Sequence, residues 1–191
     1  MTSICLIRHG ETDWNKEGKI QGKTDIPLNE TGRLQAEKSA VFLSRSKWDI
    51  IITSPLIRAK HTAEIINKKL HLPIIEMVDF EERNYGEAEG LTPEERKRMF
   101  PTREYPNEEK REFVIERVMR GIQSILETYP NKKVLLVAHG GVINLILATL
   151  SNGEIGTGKT KLTNACISNI YYHENSWQIK DYNQISHLSD R

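Results

Sequence analysis

With 191 residues, the chain is long enough to bury most of the surface its unfolded form exposes, and one globular domain spanning residues 1–191 is the default expectation. Its 27 Lys and Arg against 26 Asp and Glu leave a net charge of +1, so charge offers no attraction to nucleic acid or to an anionic membrane. The two cysteines, Cys5 and Cys166, both sit in apolar strand-like segments, which favours buried reduced thiols over a disulfide framework or a metal site.

In chain order, the apolar run Ser3 to Ile7 reads as a strand and Glu30 to Ser44 as a helix. Ile50 to Thr53 reads as a second strand, followed by a helix from Ser54 to Leu70 with Pro55 at its start. This alternation is the pattern of βαβ units. The stretch from Pro93 to Pro106, rich in Pro, Glu and Arg, is the least regular part and reads as a surface excursion within the domain, an irregular helical one over about residues 87–110. Glu109 to Tyr129 reads as a helix with one apolar face, because Ile115, Val118, Ile122, Ile125 and Tyr129 recur three or four residues apart. Lys133 to Ala138 reads as a fully buried central strand, then His139-Gly140-Gly141 leads into a helix from Val142 to Leu150. Ala165 to Tyr172 and Trp177 to Asp181 read as two further strands joined by a turn at Glu174-Asn175. No basic region followed by a long apolar stretch opens the sequence, and the longest apolar patch, Val142 to Leu150, is too short to span a bilayer. A cytoplasmic protein without a membrane partner is expected.

Two of these strands end in histidine-glycine, Arg8-His9-Gly10 and Ala138-His139-Gly140. In a parallel sheet both carboxyl ends open onto one crevice. Arg58, in the first turn of the helix after the strand Ile50 to Thr53, can reach the same place. Two histidines and two arginines together are costly unless an anion neutralises them, and the guanidinium fork matches a phosphoryl group in bidentate fashion. The implied ligand is a phosphate ester on a small metabolite. Neutral imidazole is a competent nucleophile near pH 7, so phosphoryl transfer can proceed in two steps through a covalent intermediate, without a metal or other cofactor.

Five ordered segments carry a resemblance: Leu6-Ile7-Arg8-His9-Gly10-Glu11-Thr12, Ile20-Gln21-Gly22, Pro27-Leu28-Asn29-Glu30-Thr31-Gly32, Ser54-Pro55-Leu56-Ile57-Arg58-Ala59 and Val137-Ala138-His139-Gly140-Gly141. Together they resemble the histidine phosphatase superfamily, also called phosphoglycerate mutase-like, over nearly the whole chain. The resemblance implies an α/β three-layer sandwich, with a mostly parallel central sheet flanked by helices. It implies His9 as the nucleophile that forms a phosphohistidine. Arg8, Arg58 and His139 would bind the phosphoryl group, with Gly140 beside them, and Asn15 and the Gln21-Gly22 backbone would complete the pocket. Protonated, His139 would stabilise charge on the equatorial oxygens together with the arginines. The cationic surround disfavours protonation of His9.

For the acid that protonates the leaving oxygen, Phe80-Glu81-Glu82-Arg83-Asn84-Tyr85-Gly86 supplies candidates. The family pattern aligns best with Glu82, and Glu81 is the alternative. Cofactor-dependent phosphoglycerate mutases share the Glu-Arg-x-Tyr-Gly string at Glu82 to Gly86. Their lysine three residues after a glycine falls at Pro93 here, and their paired-arginine segment has no clear counterpart between Pro93 and Glu112. Those basic residues recognise the substrate carboxylate, so a broad-specificity phosphatase is expected, with mutase as the alternative. Contacts to the rest of the substrate are expected from Glu87 to Lys110.

A different class is suggested by Gly153-Glu154-Ile155-Gly156-Thr157-Gly158-Lys159-Thr160, which satisfies P-loop spacing. A working P-loop follows a buried strand and opens a helix. Here a helix precedes and a strand follows, so the segment reads as a flexible loop. A pseudoenzyme that keeps the pocket without turnover is disfavoured because every expected catalytic residue is present. His61, His71, His173 and His187 show no metal-ligand spacing, and only His61, three residues after Arg58, is near enough to line the entrance.

Overall fold

The computed structural model describes residues 1–189 and is built on one six-stranded sheet. The strands are β1 (Ser3–Arg8), β2 (Ile50–Thr53), β3 (Ile74–Glu76), β4 (Lys133–Ala138), β5 (Ile167–His173) and β6 (Ser176–Gln184). They lie in the order β3-β2-β4-β1-β5-β6. The first four are parallel, whereas β5 pairs antiparallel with β1 and β6 antiparallel with β5. The sheet is therefore mixed, with the parallel part at its centre.

The apolar runs are unbroken in β1, β2 and β4 because both faces of these strands are covered. Ile4, Leu6, Ile50, Ile52, Val134 and Leu136 pack against helices α5 (Arg111–Thr128) and α6 (Gly140–Leu150). Cys5, Ile7, Ile51, Leu135 and Val137 pack on the other face against α2 (Glu30–Leu43) and α3 (Ile57–Leu70). This is the three-layer arrangement. The stripe expected on α5 holds, with Val118, Ile122 and Ile125 fully buried and Ile115 and Tyr129 at its margin. Both cysteines are free and buried, and burial pushes the Cys166 thiol up to about 11 and the Cys5 thiol higher still.

Several local expectations are corrected. The helix after β2 begins at Ile57 rather than Ser54, because Pro55 disfavours helical backbone at the residue before it and Leu56 is extended at ψ 137°. Two short elements are not expected from the sequence, α1 (Asp13–Glu17) and β3, whereas the helical excursion expected at about 87–110 contains α4 (Pro93–Met99). The signals for the helices were present. Thr12 caps α1 in a reciprocal capping box with Asn15, and Gly18 closes it in the left-handed region at φ 73°. Thr92 accepts from the Glu95 N–H, and Pro93 occupies the first turn of α4, which places the helical part of the Pro93 to Pro106 stretch at its start. The turn between β5 and β6 falls at Glu174-Asn175 as expected, with φ of 50° and 63°. Residues 153–160 form turns after α6 and lead into no helix, which is not P-loop geometry.

Candidate active site

The register between β1 and β4 pairs Arg8 with Ala138, so His9 and His139, each one residue beyond its strand, emerge side by side. Their ring centroids are 5.2 Å apart. β2 lies on the other side of β4, and α3 that follows it brings Arg58, 1% exposed, toward the same strand ends. A cavity of about 190 Å³ opens there, lined by Arg8, His9, Asn15, Gln21, Gly22, Arg58, Glu82 and Gly140, and also by Lys19, Ile20, Tyr85 and Gly141. His139 stands behind it, with no exposed surface.

The His9 ring is held by a hydrogen bond between Nδ1 and the Gly10 carbonyl oxygen, 2.7 Å away. Burial, Arg58 and Arg8 push its pKa well below the ordinary value of 6.5, so the ring is neutral near pH 7. A carbonyl oxygen can only accept, so a neutral ring carries its proton on Nδ1 and keeps the Nε2 lone pair for attack. The Gly10 N–H donates to Thr62 Oγ1 at 3.1 Å, and the Thr62 hydroxyl donates to the Arg58 carbonyl at 2.7 Å. Asn164 Nδ2 donates to the His9 carbonyl at 3.2 Å and to Asn15 Oδ1 at 3.1 Å.

Asn15 Oδ1 also accepts from the Thr12 backbone N–H at 3.1 Å. With its oxygen saturated, Asn15 has only its amide N–H groups to offer a ligand. Gln21 is fixed in turn, because its Oε1 accepts from the Thr12 hydroxyl at 2.7 Å. Arg58 Nη1 donates to the Thr24 carbonyl at 2.9 Å and Nη2 to the Gly22 carbonyl, while Arg8 Nη1 donates to the Leu162 carbonyl. In both arginines Nε is buried and has no partner among the described residues. Burial pulls the Arg58 pKa down to about 10, so it remains charged at neutral pH. Two charged guanidiniums with unspent donors favour an anion as the missing partner.

Glu82 and Glu81 are separated by the structure. Glu82, 8% exposed, lines the cavity, and its carboxylate accepts from the Gly141 N–H at 3.0 Å and the Arg83 N–H at 2.9 Å. Glu81 lies outside the lining and pairs with Lys23 at 3.4 Å. Arg117 on α5 clamps the segment by donating to the carbonyls of Asp79, Glu81 and Glu82, at 2.8, 2.7 and 3.2 Å.

Burial, Arg58, His9 and Arg8 all push the His139 pKa well below 6.5, so its ring, like that of His9, is neutral near pH 7. The lining of the cavity differs from expectation in two places. The segment 87–110 supplies no lining residue; it packs outside the loop at 18–22, where Gly90 and Leu91 exchange backbone hydrogen bonds with Ile20. His61 lies on α3 and does not line the cavity. Ser54, Thr62 and Asn164 were not singled out as site residues. Ser54 is part of the quoted Ser-Pro-Leu-Ile-Arg-Ala motif, whereas Asn164 is 155 residues from His9 and has no local signal. Among the described residues no group of His, Cys, Asp and Glu is placed to hold a metal, and no helix is long and apolar enough to cross a membrane.

A profile of the histidine phosphatase superfamily (branch 1) matches residues 4–185. The uncharacterized phosphatase PhoE of Bacillus subtilis is 56% identical over 189 residues, covering 99% of this chain and 98% of that protein. A metal-independent phosphoserine phosphatase of Arabidopsis thaliana is 32% identical over 203 residues, covering 99% of this chain and 84% of that protein. The solved structure of YhfR from Bacillus stearothermophilus superposes with a TM-score of 0.92 at 27% identity, covering 99% of this chain and all of that one.

Proposed function

The chain belongs to the histidine phosphatase superfamily and is a phosphatase, and from that premise we propose that it hydrolyses small phosphate monoesters of broad range through a phosphohistidine on His9. The observation that carries this reading is the neutral His9 ring. It is tied at Nδ1, open at Nε2, and set in a buried cavity with two unspent guanidinium donors.

In the first step Arg8, Arg58 and His139 hold the phosphoryl oxygens, with Asn15 donating beside them. His9 Nε2 forms a bond to phosphorus as the bond to the ester oxygen breaks, and Glu82 delivers a proton to that oxygen. In the second step Glu82 takes a proton from water as the water oxygen attacks phosphorus, the bond to His9 breaks, and inorganic phosphate leaves. Gln21 and Gly22 shape the pocket, the Gly22 carbonyl holds Arg58, and Gly140 leaves room for Arg8 beside it. Each charge that develops meets a donor already in place, which is where most of the acceleration of phosphoryl transfer arises.

The smallness of the cavity and the absence of any lining residue from 87–110 favour small phosphorylated metabolites whose distal part lies in solvent. On this reading residues 1–191 are one histidine phosphatase domain acting in the cytoplasm. The test is a panel of phosphate monoesters including 3-phosphoglycerate, run with and without 2,3-bisphosphoglycerate. Hydrolysis exceeding mutase turnover, with an acid-labile phosphoenzyme that His9→Ala abolishes, is expected. Mutase turnover exceeding hydrolysis, or activity surviving in His9→Ala, overturns the reading.

A further inference from the structure

Ser54 and His139 are both fully buried, and Ser54 Oγ lies 2.7 Å from His139 Nε2. The other partner of that oxygen is the Leu56 N–H, at 3.3 Å, which can only donate. The hydroxyl proton of Ser54 therefore has one acceptor among the described residues, the Nε2 lone pair of His139. His139 Nδ1 is buried and has no partner there.

Two proton arrangements are open to the neutral ring. With the proton on Nε2, two groups are orphaned: the Ser54 hydroxyl proton and the Nδ1 lone pair. With the proton on Nδ1, the Ser54 hydroxyl is satisfied and a single N–H is left over, the group that a phosphoryl oxygen accepts from. Each buried polar group without a partner is destabilising, so the arrangement with one orphan, relieved when substrate binds, is favoured over the arrangement with two.

We propose that Ser54 is a positioning residue that fixes the tautomer of His139: its hydroxyl donates to Nε2 and thereby places the ring proton on Nδ1, as the donor for a substrate phosphoryl oxygen. The role assigned to that donor rests on the phosphatase reading above; the tautomer itself does not. Ser54 also shows why the turn after β2 is extended rather than helical. The Ser54 N–H bonds to the Val137 carbonyl at 3.0 Å, which seats its hydroxyl beside His139, the residue directly beyond β4. His9 and His139 then present opposite roles from the same ring type, an acceptor nitrogen at one and a donor at the other.

The experiment is a long-range proton–nitrogen correlation spectrum of unliganded protein carrying labelled histidine at pH 7.5, with His139 assigned by loss of its signals in His139→Gln. A protonated Nδ1 and a bare Nε2 are expected at His139. Ser54→Ala should shift the ring toward the other tautomer and lower kcat/KM on an alkyl phosphate roughly tenfold to a hundredfold, while Ser54→Thr, which keeps the hydroxyl, restores the wild-type pattern. A wild-type proton on Nε2, an unchanged tautomer in Ser54→Ala, or a folded Ser54→Thr with the alanine spectrum overturns the proposal. Should Ser54→Thr not fold, the wild-type spectrum alone still decides. A protein with the expected tautomer but no phosphatase activity would instead sink the phosphatase reading.

Discussion

Gly141→Ala separates catalysis from stability at a single atom. Gly141 is the second residue of α6, with helical backbone, so alanine brings no backbone strain, and its helix propensity, worth about 0.5 kcal/mol, offsets part of the hydrogen bond to Glu82 that it disrupts. Its Cβ, however, would stand 2.5 Å from one Glu82 carboxylate oxygen and 3.0 Å from the other. Ordinary contact needs about 3.4 Å, so the carboxyl must retreat by roughly 1 Å and give up its bond to the Gly141 N–H. Misplacement of a catalytic group on that scale costs about a hundredfold, within the range that general acid–base catalysis supplies. The assay compares an alkyl phosphate with p-nitrophenyl phosphate, whose leaving group needs no proton. The variant should lose about a hundredfold in kcat/KM on the alkyl ester and keep most of it on the aryl ester. Because Glu82 also serves the water step, nitrophenolate should appear in a burst followed by slow turnover. Unchanged alkyl phosphate hydrolysis, or equal losses of kcat/KM on both esters, would refute the assignment of Glu82 as the acid.

Four further outcomes are expected. His9 and His139 both have folded-state pKa values depressed below 6.5, so the acid limb of kcat/KM should lie well below that pH; a limb at or above 6.5 contradicts a neutral buried nucleophile. The same depression means the unfolded chain takes up protons first: stability is full above pH 6.5 and is lost below it at up to about 2.7 kcal/mol per pH unit for two sites, until the folded-state pKa values are reached, as denaturation curves at pH 7.5 and 5.5 will show. Arg58→Lys cannot reach the Thr24 and Gly22 carbonyls together, so it should lose about 1–3 kcal/mol in denaturant titration and at least a hundredfold in kcat/KM; wild-type values in either would show that the fork is not needed. Lys159→Ala in the P-loop-like turn should leave phosphatase activity and Tm unchanged, and calorimetry of the wild type with magnesium and ATP should show no binding that depends on Lys159.

Much of the molecule is legible in the sequence because it is written in local pattern. Unbroken apolar runs mark β1, β2 and β4 as strands covered on both faces, and the three-to-four spacing marks α5. His9 and His139 are recognisable because each directly follows a strand whose carboxyl end must face the crevice, and Arg58 because it lies in the first turn of the helix that follows such a strand. Short elements escape this reading: β3 has three residues and takes its extended form from pairing with β2, and α1 depends on a cap rather than on periodicity.

What the sequence determined by itself is therefore the class of fold, the strand ends where chemistry gathers, and the residue types that meet a phosphoryl group. These follow from periodicity and from residue identity, which are local. Only the tertiary structure tells the surroundings of Glu82 and Glu81 apart, because adjacent carboxylates have the same sequence context, whereas in the fold Glu82 lines the cavity and meets the Gly141 N–H across 59 residues and Glu81 pairs with Lys23 outside it. It also decided that His139 is neutral and joined to Ser54, and that Asn164 supports both His9 and Asn15. Burial and hydrogen-bond partners are properties of what the folded chain brings together, and protonation follows from them.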